Sequence, residues 1–144
     1  VSDHEGPITA DDWERVAHQK LKAAMHLQQI RSTTEAYDQA GVAIECALKA
    51  RIMRHERLNQ WPSRERRRDL YTHDLAFLLK AGGLQDRMLA ESASGTNIGI
   101  AWAIAKEWSV EARYARNMRP RLARDMIWAA SSANDGLVRW IIEA

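Results

Sequence analysis

Apolar positions return at three- and four-residue intervals along most of this chain, and that rhythm predicts helices. The densest stretch places Tyr37, Ala40, Gly41, Ile44, Leu48 and Ile52 on one stripe of a helix running from Glu35 to about Leu58. Val42, Cys46 and Met53 form a second stripe, so this helix needs two sets of neighbours and reads as the central element. Gly41 costs about 1 kcal/mol in a helix interior relative to alanine, which points to a close backbone approach there.

Ahead of it, Thr9 opens a first helix with Asp11 and Asp12 in the opening turn, where negative charge meets the helix dipole. Trp13, Val16, Ala17, Ala24 and Leu27 carry the pattern to about Arg31. The cap cluster Ser32, Thr33 and Thr34 leaves so short a link that the two helices form an antiparallel hairpin. Asn59 to Tyr71 breaks the rhythm; Pro62 disfavours helix at Trp61, and Ser63 can cap a short charged turn over residues 63–70. Thr72 or Asp74 then caps a third helix, Leu75 to Leu79, which ends at Gly82 and Gly83. Leu84 to Glu91 reads as one or two helical turns and Ser92 to Gly95 as a break.

Residues 97–108 send two signals, because Ile98, Ile100, Trp102 and Ile104 alternate as in a strand while the interleaved alanines favour helix. No second strand exists for them to pair with, so helix is the assignment. Ser109 to Pro120 is a basic connection, with Pro120 as the first residue of a last helix. That helix carries Leu122, Met126, Ala129, Ala133, Leu137 and Trp140 on one stripe to the C-terminus. The expected fold is all-α: an up-down bundle of four or five main helices in a single domain, residues 9–144, behind a flexible leader, residues 1–8.

Composition narrows the function classes. A chain of 144 residues can bury a core without staples, and its one cysteine, Cys46, falls inside a helix pattern as a small apolar residue. No apolar run approaches the roughly 20 residues that span a bilayer, and the first residues lack a signal-peptide layout. A soluble cytoplasmic protein with no membrane association is the expectation. There is no glycine-rich phosphate loop, no Cys/His cluster at metal spacing and no nucleophile set, so no cofactor or metal is expected. His4, His18, His26 and His55 are scattered over the leader and helix surfaces. The net charge is only +2, yet sixteen of the twenty-one cations are arginines, and Arg64, Arg66, Arg67 and Arg68 lie within five positions. Such guanidinium forks suit phosphate and carboxylate oxygens, although a run of this kind also serves as a solvated loop.

The segment Ala43 to Ala50, followed by Thr72-His73-Asp74-Leu75 and Leu78-Leu79, resembles the HEPN domain, an all-helical family of nucleotide-associated proteins. Trp108, the Arg113-Tyr114 pair and the amphipathic last helix are similar to its layout, and the resemblance spans about residues 10–143. It implies a helical bundle, a homodimer, and an adjacent nucleotidyltransferase or antitoxin as partner. Arg68 and His73 stand at the spacing of the Arg-x4-6-His motif that marks the ribonuclease members. Independently of the resemblance, an imidazole can take a proton from a ribose 2′-hydroxyl while a guanidinium neutralises the scissile phosphate, without a metal.

Three functional readings stay open. The first is a nucleotide- or RNA-binding module using Arg64, Arg67, Arg68, His73, Asp74 and Arg113, with the arginine run beside a helix N-terminus. The second is a metal-independent toxin-type endoribonuclease with Arg68 and His73 as catalytic pair. The third is a protein–protein interaction domain whose basic loop meets an acidic partner. Thr72, His73 and Asp74 could equally do no more than satisfy the first amides of the third helix. Trp128 falls among Arg121, Arg124, Asp125, Ser132, Asp135 and Arg139, away from its helix's apolar stripe. It is covered by the leader or a loop, or it anchors a subunit contact, or it is a platform on which a base stacks. Six tryptophans and the second stripe of the central helix give more apolar surface than a small bundle readily hides, which again predicts a homodimer.

Overall fold

The computed structural model describes residues 5–132 and 136–144, and among them the chain is all-helical, with no strand. The first helix, α1 (Ala10–Gln29), starts where the sequence places it: Thr9 accepts from the Asp12 amide, and the Asp12 carboxylate accepts from the Thr9 amide. Those amide bonds, the backbone ones foremost, hold the Asp12 carboxyl below the usual carboxylate range. The second helix, α2 (Thr33–Glu56), follows after a three-residue link in which Arg31 takes a left-handed conformation. Arg54, near the end of α2, reaches back to Asp11 at 3.0 Å and to Glu14 in the first turns of α1, so the hairpin is antiparallel. Ile8 is not loose as the leader expectation has it. Its carbonyl accepts from the Trp61 amide at 2.6 Å, and its amide donates to Asp12. Residues 1–4 of that leader, with His4, lie outside the described residues.

Helix α2 is central in a strict sense. From Ala36 to Met53 every residue is buried except the half-buried Tyr37, Gln39, Val42 and Arg51. The packing neighbours are α1, a short helix α3 (Leu75–Ala81), a turn of 3-10 helix at Val110–Tyr114, and the two last helices, α6 (Pro120–Ser131) and α7 (Leu137–Glu143). Gly41 marks the close approach expected of it: a Cβ there would sit 2.1 Å from the indole of Trp108, which lies flat over the helix backbone and is itself buried.

Between these come α4 (Gln85–Ala93) and α5 (Asn97–Ala105), so the ambiguous 97–108 stretch is helix, opened by Thr96, whose side chain accepts from the Gly99 amide. Gly99 packs against the Glu91 carbonyl and Ser92, which fixes the crossing of the two helices. Charged residues 63–70 do form turns, including a 3-10 turn at Arg68–Leu70, and Pro120 is in the first turn of α6.

The described residues form the all-α bundle expected, with seven α-helices because the second half of the chain is cut into short pieces. Two expectations need correction. The last helix does not run to the C-terminus. It stops at Ser131, and α7 restarts after Gly136, where a Cβ would lie 2.8 Å from the Ala130 carbonyl; Ala133 and Asp135 lie outside the described residues. Its buried face is Ala123, Met126, Ile127, Ala129 and Ala130, so Met126 and Ala129 lie on it as expected while Leu122 is exposed. Finally, on the second stripe of α2, Cys46 and Met53 are closed off by the chain's own elements, and Val42 alone stays half-buried.

Candidate functional site

Four of the charged residues of α2 share one line. Asp38, Glu45, Lys49 and Glu56 are seven, four and seven residues apart, which at 100° per residue places them within about 20° of a common direction. Each acid holds a cation brought in from another part of the chain or from the next turn. Arg113 donates from Nε and Nη2 to Asp38 at 3.3 and 3.2 Å. Lys49 Nζ donates to Glu45 Oε2 at 2.9 Å, and His73 Nδ1 meets Glu45 Oε1 at 2.7 Å. Arg67 clasps Glu56 at 2.6 and 3.3 Å and turns its other edge to Asp69 at 3.1 and 3.0 Å, which raises the guanidinium's pKa and holds the Asp69 carboxyl low.

The Glu45–Lys49 pair is the unusual member, since both side chains are buried. Its ammonium is 5.2 Å from the Trp13 ring and 5.8 Å from the Trp61 ring, which meet edge-to-face at 5.0 Å. Trp61 leads on to Tyr71 at 6.1 Å, whose hydroxyl donates to the Pro62 carbonyl, and Arg64 lies 5.8 Å over the Tyr71 ring. The loop from Leu58 to Tyr71 thus folds back on the bundle as an aromatic step edged by arginines. Leu58, Gln60, Trp61, Pro62, Ser63, Arg66 and Arg67 line a cavity of about 480 Å³ beside it.

The candidate residues divide on this geometry. Arg67 and Arg113 are occupied by carboxylates, and their anchor points on α2 are about 27 Å apart along its axis at 1.5 Å per residue. Asp74 caps α3, accepting from the Phe77 amide at 3.2 Å, with Thr72 accepting from the Asp74 amide. His73 does no capping: its ring is more than half exposed, and Glu45 orients it. Arg68 is exposed on the 3-10 turn, and among the described residues no hydrogen bond or ion pair joins it to His73. Trp128 is 37 % exposed on the outer face of α6, not enclosed by the leader or a loop, and no ring contact or hydrogen bond ties its side chain to the 58–73 segment. Cys46 is inert, because burial, with the Glu45 charge adding to it, pushes its thiol up to about 12.

Sequence reasoning passed over Glu45, Lys49, Asp38 and Glu56, and with them Trp13, Trp61 and Tyr71. The signal was present: Asp38, Glu45 and Lys49 fall in the mostly apolar middle of a central helix, where charged side chains are out of place unless paired. Among the described residues no helix is long and apolar enough to cross a membrane, and no cluster of three His, Cys, Asp or Glu side chains could hold a metal. Comparison with protein-family models, curated proteins and solved structures returned no match.

Proposed function

We propose that this chain is a HEPN-like helical module that binds a nucleotide or the backbone of unpaired RNA on its 58–73 segment. What supports the reading is one observation: among the described residues Arg64, Arg66 and Arg68 carry no acidic partner, unlike Arg67 between them, and they lie on the segment that carries an accessible Trp61–Tyr71 step beside a cavity. Free guanidinium groups take phosphate oxygens, and the exposed aromatic edge and cavity suit a base. With three phosphates neutralised at about 0.7 each, the logarithm of affinity for single-stranded RNA should fall with the logarithm of salt at a slope of about −2. Arg66→Ala and Arg68→Ala should each flatten that slope by about 0.7, and Arg113→Ala should leave it unchanged. Fluorescence anisotropy across a salt series reads these slopes, and slopes indifferent to Arg66 and Arg68 would remove the site. The same reading brings with it a two-fold partner and an adjacent nucleotidyltransferase or antitoxin. A monomer in sedimentation at micromolar concentration would count against the two-fold.

The ribonuclease alternative rests on a separate observation, the His73–Glu45 contact. With Nδ1–H donating to the carboxylate, Nε2 is left as a proton acceptor on an exposed ring. Nε2 would take the 2′-hydroxyl proton, the 2′-oxygen would attack the adjacent phosphorus, and the 5′-oxygen would leave, giving a 2′,3′-cyclic phosphate while Arg68 neutralises the charge. Cleavage in EDTA ending in that cyclic phosphate and abolished by His73→Ala is the expected result under this alternative. RNA retained intact by the wild-type chain favours the binding module.

A further inference from the structure

Where α3, α4 and α5 meet, the surface is largely apolar and hollowed. Two neighbouring cavities of about 250 and 280 Å³ share Ser92, Trp102 and Lys106 in their walls. Ala76, Leu79, Gln85, Met88 and Leu89 complete one, and Gly95, Gly99, Ile100 and Ala103 the other, so the two adjoin as one trough. Leu89 is 61 % and Ile100 48 % exposed, far more than an aliphatic side chain needs to be on a bundle that buries so much elsewhere. The walls are preformed, because Gly99 locks α5 against the α4 backbone at a separation that no side chain would permit.

We propose that this trough docks an amphipathic helix of a partner protein that carries an acidic residue beside its apolar anchors. Among the described residues Lys106 is the only charged side chain in its walls; it lines both cavities and makes no ion pair. Lys80, one helical turn on from Ala76 on the same face of α3, is an exposed second cation, also without an acidic partner among those residues. The nearby Glu91 is engaged elsewhere, accepting from the Thr96 hydroxyl. A trough walled by helices, with no sheet edge to extend, takes a helix by its i, i+3 or i+4, and i+7 side chains. Met88 in its floor adapts to anchors of different shape. A second copy of this chain is the poorer occupant, since a two-fold contact through the trough would bring its lysines towards each other. Unpaired RNA is poorer still, because Trp102, the one aromatic in the walls, is 9 % exposed and offers no open face for stacking.

The probe is a fluorescein-labelled amphipathic peptide with leucine at every third or fourth position and flanking glutamates, compared with a twin in which lysine replaces each glutamate. Titrated with the full chain, the glutamate peptide should bind about tenfold or more tighter than its twin, and Lys106→Glu should reverse the preference. Leu89→Asp should weaken the glutamate peptide about tenfold or more while the melting temperature stays unchanged, since Leu89 is exposed. Equal binding of the two peptides, undiminished binding by the Leu89→Asp chain, or no binding by the wild type would each overturn the proposal. So would a wild-type dimer that Leu89→Asp converts to monomer, which would assign the trough to a second copy.

Discussion

Replacing Gly41 by alanine should destabilise the fold by about 2 kcal/mol, lowering the melting temperature by roughly 5–8 °C, although alanine is the better helix former. On an exposed helix the substitution would stabilise by about 1 kcal/mol. Here the new methyl would fall 2.1 Å from the Trp108 indole, where no relaxation of a flexible chain end can relieve it. The ring must move as a plate, and its Nε1, already without a hydrogen-bond partner, would not gain one by moving. Shrinking the ring should restore part of the loss, so Gly41→Ala combined with Trp108→Leu should cost less than the two single changes added together. Thermal melts of the four chains supply the cycle, and a Gly41→Ala variant that melts higher than the wild type would show that the indole is not where the packing places it.

A larger loss is expected from Lys49→Met, a change that is almost isosteric and would be harmless at most buried positions. It strips the Glu45 carboxylate of the ammonium 2.9 Å away and leaves only His73 to face it, on a side chain that is 6 % exposed. Removing one partner of a buried pair typically costs about 3–5 kcal/mol, because the remaining charge has lost its water and found nothing in exchange. A fall of about 10 °C in the melting temperature follows at the low end of that range. Removing both charges should be far milder: Glu45→Gln with Lys49→Met keeps an acceptor for His73 and leaves no bare ion. If the double variant is no more stable than Lys49→Met alone, the pair is not the source of the effect.

The helices were legible wherever periodicity and capping agreed. Thr9 with Asp12 in the opening turn, and Asp74 before the third helix, mark starts that the chain uses. The gap between α6 and α7 was not legible from rhythm, because Met126 and Leu137 are eleven residues apart and stay in phase to within about 20° across the break. Only Gly136 and the paired serines hinted at it, and their meaning depends on a backbone approach to Ala130 that no sequence pattern encodes. For the candidate site, residue types were readable but partners were not. Arg67 and Arg68 look alike in a run of cations, yet one is held by Glu56 from eleven residues back and the other is not. His73 finds Glu45 across 28 residues and Arg113 finds Asp38 across 75, pairings that only the bundle brings together.

The line of acids on α2 sets how this protein opens, as well as how it is held shut. Its outer clasps, Arg113 on Asp38 and Arg67 on Glu56, have guanidinium groups a third or more exposed, so added salt weakens them, whereas the apolar burial of α2 does not depend on such screening. Amide hydrogen exchange should therefore separate into two regimes. Protons of the 58–73 and 109–119 segments should exchange through small local openings that quicken as salt rises, while those in the middle of α2 wait for the whole bundle to unfold.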